Sequence, residues 1–402
     1  MDLSFTPEQE AFRQEVRQWI KENLPADWEG DESYFGTEDP IELSKKAHEF
    51  NKQIAKKLGE KGWLAAAWPK EYGGLGRGPI EQLIYKEEMI YHRVPGIDMG
   101  VGGITWIGPV LMVLGTEEQK KEQLPLLAKG ERWWCTGYSE PEAGSDMANI
   151  HCRAVAHGDE YIINGQKLWT SGGYVNEYWQ WLLVRTGPQE PKHKGISLLM
   201  VDLQTPGITI RPLIDMAGRY HLSEVFFDDV HVPRSNLVGE ENRGWYHIMI
   251  SLDFERTAGV SMAAGLRRTI DDLIQFVKET KINGEPLSKD PLVRHKLADL
   301  AIECEVGRML AYRIVWMQTQ GLIPNYEASM IKLFASEAAQ RVAHAGTQIM
   351  GLYGQLEIGS KWAPLNGRFE HAYLSSVSGT IAAGTSEIMR LIIATRGLGL
   401  PR

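Results

Sequence analysis

The chain has 402 residues, 43% of them hydrophobic, and a formal net charge of −9 spread along its length. That composition supplies a substantial core shared among two or three domains and leaves no basic face for nucleic acid. No apolar run approaches the roughly 20 residues needed to cross a bilayer, and Met1-Asp2-Leu3-Ser4-Phe5 is neither a secretory signal nor a transit segment, so a reducing, cytoplasmic setting such as a bacterial cytosol is expected.

Thr6-Pro7-Glu8-Gln9 reads as a helix start, with Thr6 as the cap, Pro7 in the first position and Gln9 completing a capping box. Phe12, Val16, Trp19 and Ile20 then share one helical face. Helical periods recur over 41–58, 80–91 and 109–114, and Thr116-Glu117-Glu118-Gln119 opens another. An N-terminal α-helical domain over 1–129 is expected. Within it, Gly73-Gly74-Leu75-Gly76-Arg77-Gly78 follows no strand-like run, which makes it a structural loop rather than a dinucleotide fingerprint.

The texture then turns to β. Runs at 155–163, 178–185, 196–201, 208–212 and 224–232 are rich in β-branched and aromatic residues and separated by turns such as His157-Gly158-Asp159 and Thr205-Pro206-Gly207. They predict a compact antiparallel barrel or sandwich over 130–238. Just inside it lies Tyr138-Ser139-Glu140-Pro141-Glu142-Ala143-Gly144-Ser145-Asp146, a tight polar loop. Its N–H groups are able to cradle an anion or the edge of a flat heterocycle, or it is simply a turn. Cys135, Cys152 and Cys304 have no metal-ligand spacing, so no metal site and three reduced thiols are expected.

From 239 to 402 the helical period returns, predicting a C-terminal helical bundle and an α+β fold. Ile248, Leu252, Glu255, Gly259, Met262, Leu266, Ile270, Leu273 and Val277 form a stripe expected on one long helix, and Glu255 is its only charge. A lone carboxylate in an apolar row either pairs with a cation, reaches water, or becomes a base. Helices are expected over 292–320 and 326–350, and a last one from Thr385 or Ser386.

The 138–146 loop resembles the Glu-Pro-x-Ala-Gly-Ser-Asp signature of the acyl-CoA dehydrogenase family. Trp68-Pro69-Lys70-Glu71-Tyr72-Gly73-Gly74, Asn164-Gly165-Gln166-Lys167-Leu168-Trp169-Thr170-Ser171-Gly172, Phe226-Phe227-Asp228-Asp229-Val230-His231-Val232-Pro233 and Gly384-Thr385-Ser386-Glu387-Ile388-Met389-Arg390 resemble further blocks of that family, in order and at similar spacing. The resemblance implies FAD as cofactor. It places Tyr138, Ser139 and Ser145 in the flavin loop, Trp169, Thr170 and Ser171 around the ring, and Gln348, Gly384, Thr385 and Glu387 among further cofactor contacts. Most members carry their catalytic Glu where this chain has Ala383. The smaller branch typified by isovaleryl-CoA dehydrogenase carries it before an Arg on the helix after the β domain, and Glu255-Arg256 is similar to that arrangement. By the same resemblance Glu255 is the base, the Ala383 backbone N–H an oxyanion donor, and Ser145, Asp253 and Arg256 line the acyl-CoA channel.

The resemblance further implies an acyl-CoA substrate, an electron-transfer flavoprotein as electron acceptor, and a homotetramer or dimer. One departure matters for assembly. Where the family has Arg-x-Phe-Gly, this chain has Glu279-Thr280-Lys281-Ile282-Asn283-Gly284-Glu285-Pro286, so two readings stay open: Lys281 or Arg294 substitutes in a homo-oligomer, or the chain forms a heterotetramer with a related subunit. Glu142 and Leu352 are smaller departures. Two other functions remain in play: a flavin oxidase or monooxygenase of similar build, and a flavin-poor partner subunit.

Overall fold

The computed structural model describes residues 4–401 except 31, 38, 173–176, 256 and 257, and only the backbone of 32, 33, 252–255 and 258. In chain order come helices α1 (Pro7–Asn23), α2 (Pro40–Glu60), α3 (Pro79–Tyr91), α4 (Gly108–Leu114) and α5 (Glu117–Ala128). Strands β1 (Trp134–Gly137), β2 (Arg153–His157), β3 (Glu160–Ser171), β4 (Trp179–Arg185), β5 (Ile196–Asp202), β6 (Ile208–Ile214) and β7 (Tyr220–Pro233) follow. Then come α6 (Gly244–Glu255), α7 (Ala258–Glu279), a hairpin of β8 (Lys281–Ile282) and β9 (Glu285–Pro286), α8 (Pro291–Thr319), α9 (Tyr326–Met350), α10 (Arg368–Gly379) and α11 (Ser386–Ile392). Helical segments thus precede and follow a β-sheet along the chain, the expected α+β order. Among the described residues no helix is long and apolar enough to cross a membrane.

Local signals produced the expected starts. Thr6 and Thr116 each accept from the backbone of Gln9 and Gln119, and each glutamine side chain answers back, satisfying helix-end donors. α1 buries Phe12, Val16, Trp19 and Ile20, as its period requires.

The contacts divide the chain into two compact units. The sheet unit comprises Asp39–Arg77 and Pro95–Glu255. Its strands run in the order β1-β4-β2-β3-β7-β6, with β5 also paired to β4. The sheet is mixed rather than purely antiparallel: β1 lies parallel to β4, with Trp134 opposite Trp179, and β2 meets β4 in parallel at Arg153 and Arg185. A parallel pair needs a long crossover, and the 138–146 loop together with β2 and β3 supplies it. The expected turn His157-Gly158-Asp159 makes the run over 155–163 a hairpin, β2 turning at Gly158 (φ +59°) into β3. Trp134, Trp181, Leu182 and Leu183 are fully buried, each large side chain stabilising the core by about 1.5–3 kcal/mol. Burial pushes the Cys135 and Cys152 thiols up, the latter to about 11.

The helical unit comprises Met1–Glu38, Gly78–Val94 and Arg256–Arg402. Leu266, Ile270, Leu273 and Val277 of α7 pack with Leu300 and Cys304 of α8 and Ala338, Val342 and Ala345 of α9. Gly259 lets α7 approach α9 closely, since a Cβ there would sit 2.7 Å from Ile331. Three guanidiniums converge on the Asp272 carboxylate: Arg93 at 2.6 Å, Arg268 at 2.8 Å and Arg368 at 3.2 Å. The stripe expected on one helix is carried by α6 and α7, and residues 256 and 257 lie outside the described residues.

Candidate active site

In the sheet unit the 138–146 loop is anchored from below. Glu140 and Ala143 exchange backbone hydrogen bonds at 3.0 Å, closing the turn. The Glu140 carboxylate, 5% exposed, accepts from the His151 N–H (2.6 Å), the Cys152 N–H (3.0 Å) and Lys167 Nζ (2.6 Å). Lys167 is fully buried on β3, and its ammonium also donates to the Tyr138 carbonyl at 3.2 Å. Two charges taken from water are tolerable only when their remaining sites are filled, and three donors on one carboxylate fill them here. Sequence reasoning did not single out this pair. Its signal was a lysine inside strand β3, with an acid in the preceding loop.

With its base pinned, the loop holds Gly144 and Ser145 out to solvent, while Tyr138 and Ser139 are half-buried. Asp146 is tied to Lys192 at 2.6 Å. Buried Arg185 donates to the carbonyls of Ala148 (2.6 Å) and Lys192 (2.7 Å), fixing the exit of the loop.

β3 passes directly beside this loop, the Leu168 N–H donating to the Ser139 carbonyl at 2.9 Å. The register of β3 against β7 shifts between Lys167 and Thr170. Inside that irregularity Trp169 takes a left-handed φ of +62° and is 58% exposed. An indole held in strained backbone and left facing water is an open apolar surface beside a polar loop. Ser171 is half-buried beyond it. Thr170 points the other way: it is 1% exposed, and its Oγ1 accepts from Gln180 Nε2 at 3.4 Å. The structure therefore gathers Tyr138, Ser139, Ser145, Trp169 and Ser171, and turns Thr170 into the core.

Asp253 and Glu255 lie in the last turn of α6, and Arg256 follows it. The side chains of Asp253 and Glu255, and Arg256 as a whole, lie outside the described residues.

In the helical unit, a sharp turn precedes α11. Ala383 (φ +53°) and Gly384 (φ +91°) are both left-handed. The turn is held by Lys332 Nζ donating to the Gly384 carbonyl (2.5 Å) and by the Ser386 N–H donating to the Thr380 carbonyl (2.9 Å). Ala383 is exposed, and its N–H has no acceptor among the described residues. Thr385 caps α11, its Oγ1 accepting from the Ile388 N–H at 3.2 Å. The Glu387 carboxyl is held below its usual range by its own backbone N–H and by Thr385. Thr385 and Glu387 line a cleft of about 670 Å³ together with Glu337, Gln340, Arg341 and Tyr373, residues that sequence reasoning passed over. Gln340 marks the wall of that cleft, donating to the Ser376 carbonyl and Thr380 Oγ1 at 3.2 and 3.1 Å. Gln348 is exposed on the last turn of α9 and is not among the residues lining that cleft. Among the described residues no cluster of His, Cys, Asp and Glu is able to hold a metal ion.

Three family descriptions match the chain in succession: the acyl-CoA dehydrogenase N-terminal domain over 6–131, the middle domain over 135–230 and the C-terminal domain over 242–398. Acyl-CoA dehydrogenase FadE26 of Mycobacterium tuberculosis is 36% identical, the match covering 100% of this chain and 99% of that one. The chain belongs to the acyl-CoA dehydrogenase family. The solved structure of a steroid ACAD, Tcur3481-Tcur3483, superposes with a TM-score of 0.88 at 33% identity over 100% of both chains. The ChsE4-ChsE5 complex from Mycobacterium tuberculosis gives 0.87 at 35% identity, again over 100% of both.

As a family member the chain is an oxidoreductase and an FAD-dependent flavoprotein. The residues present fit that cofactor. The exposed Trp169 indole offers a face to a flat ring, Ser171 and the 138–146 loop offer polar edges beside it, and Thr385 and Glu387 line a cleft in the helical unit.

Proposed function

We propose that this chain dehydrogenates an acyl-CoA thioester between its α and β carbons, with Glu255 removing the α proton. A carboxylate is a feeble base against such a proton, and becomes adequate when it is desolvated and fixed donors polarise the thioester oxygen. Glu255 stands as the only charge in the apolar row from Ile248 to Val277, and the observation that carries the reading is its counterpart at Ala383. The position where most members keep their base here holds an alanine in a left-handed turn with an unengaged N–H, suited to donate to an oxyanion.

Bound FAD supplies the acceptor for the β hydride. Trp169 covers the ring, and Tyr138, Ser139 and Ser171 bond its edge. Gln348, Gly384, Thr385 and Glu387 hold the rest of the cofactor. Ser145, Asp253 and Arg256 hold the CoA moiety, so that the α carbon is presented to Glu255. Electrons then pass to an electron-transfer flavoprotein, in a bacterial cytosol. The three domains divide near 129 and 238.

Two structural relatives are described as a two-name steroid ACAD and as a ChsE4-ChsE5 complex. A bulky acyl group and a related partner subunit follow by analogy. The partner reading also draws on the β8–β9 hairpin, whose turn, Asn283 (φ +53°) and Gly284 (φ +84°), replaces Arg-x-Phe-Gly.

The test is anaerobic single-turnover reduction of the protein's flavin by straight, branched and steroid-side-chain acyl-CoAs, comparing wild type with Glu255→Gln. Bleaching in wild type and its loss in a variant that keeps FAD are expected. A variant that bleaches at the wild-type rate removes Glu255 from the mechanism. A colourless chain that becomes active only with a second subunit replaces the self-sufficient enzyme with the partner reading.

A further inference from the structure

A second cleft lies wholly within the helical unit and contains none of the residues assigned above. α3 packs against α1 on one side and against α7 and α8 on the other. Over α3 this leaves a space of about 920 Å³ between α1 and the α7–α8 pair, within the size range of small-molecule sites. Its apolar surface comes from Ile20, Leu24 and Trp28 on one side and from Ala263 and Ala264 on the other. Those two alanines, where larger side chains would close the gap, keep it open.

The wall is cationic. Arg13, Arg17, Lys21, Arg267, Arg268 and Arg308 line it, against two carboxylates, Glu87 and Glu88. Both carboxylates are already engaged. Arg17 forks onto Glu88 at 2.8 and 2.9 Å, while Arg13 and the Tyr312 hydroxyl reach Glu87 at 3.3 and 2.9 Å. The acids that pair with the other arginines, Glu29, Asp271, Asp272 and Glu305, are not among the lining residues. Lys21 has no ion pair or hydrogen bond among the described residues.

We infer that this cleft binds an amphiphilic carboxylate, its apolar chain lying against Ile20, Leu24, Trp28 and the two alanines and its head group against Lys21 and the neighbouring guanidiniums. Burial of chain methylenes drives association, and charge-assisted hydrogen bonds select a carboxylate over an alcohol. Ala263 and Ala264 lie on the helix that begins three residues after Glu255, so this site and the base are joined through one short length of chain.

The test is calorimetric titration of the FAD-loaded protein with decanoate below its self-association concentration, alongside decanol and acetate. Decanoate is expected to bind at least tenfold more tightly than either. Lys21→Glu, an exposed change that leaves the fold intact, is expected to weaken decanoate at least tenfold, and Ala264→Phe to abolish binding by filling the space. Equal binding of decanol, or of acetate, overturns the inference. So does decanoate binding that both variants leave intact, which assigns it to another site.

Discussion

Lys167 Nζ lies 2.6 Å from Glu140 Oε1, with the lysine side chain fully buried and the glutamate 5% exposed. The pair joins the strand that carries Trp169 to the loop that carries Tyr138, Ser139 and Ser145. Removing one partner leaves an uncompensated charge, so Glu140→Gln or Lys167→Met is expected to cost about 3–5 kcal/mol. The double variant Glu140→Gln/Lys167→Met is expected to recover part of that loss. Urea midpoints of the four proteins check it, with additive single costs as the contrary result.

Trp169 supports the opposite expectation. Its side chain is 58% exposed and its backbone is left-handed, so little folding energy rests on it. Trp169→Ala should change stability by less than about 1 kcal/mol while FAD dissociates measurably faster, followed by the fluorescence of released flavin. A large loss of stability with unchanged flavin retention would make the indole a structural residue.

Asp272 receives Arg93, Arg268 and Arg368. Asp272→Ala leaves three guanidiniums facing one another, and a loss of about 3–5 kcal/mol is expected. Asp272→Glu should lose less. Glu29 also lies 3.4 Å from Arg268 and 3.6 Å from Arg368; thermal melts of both variants check the order, and equal melting temperatures would show that Glu29 suffices for the cluster.

His48 is buried, with Nδ1 3.3 Å from the Tyr178 hydroxyl and Nε2 3.9 Å from the exposed Glu177 carboxylate. Burial, followed by the charge of Lys52, pushes its pKa below the ordinary 6.5, against the pull of Glu177 and Glu49. In the window between that lowered value and 6.5 the unfolded chain binds more protons than the folded one. The neutral imidazole's contribution is therefore complete above about pH 6.5 and declines as pH falls through the window. His92 and His247 are lowered by burial in the same direction. His48→Gln should flatten the slope of stability against pH between 5 and 6.5 without abolishing it; an unchanged slope would place the titration elsewhere.

Features written in neighbouring residues were legible in the sequence. Thr6 with Gln9, Thr116 with Gln119, and the bounds of α9 depend on contacts within a few positions. The 138–146 loop and Trp169 were legible through their resemblance to a family. What escaped depends on partners far along the chain. Nothing near Trp134 announces that β1 will lie parallel to β4. The inward turn of Thr170 follows from a register shift against β7, which reverses the alternation expected of a regular strand. Glu140 and Lys167 are 27 positions apart and meet only when loop and strand are in place.

The three thiols add a property of another kind. Cys135 and Cys152 are sealed in the sheet unit and Cys304 in the helical unit, and burial holds all three as unreactive neutral thiols. Each becomes available to a thiol reagent only when its surroundings open. The molecule thus carries separate clocks for its two halves, and the order in which peptides bearing 135, 152 and 304 acquire label reports which half opens first.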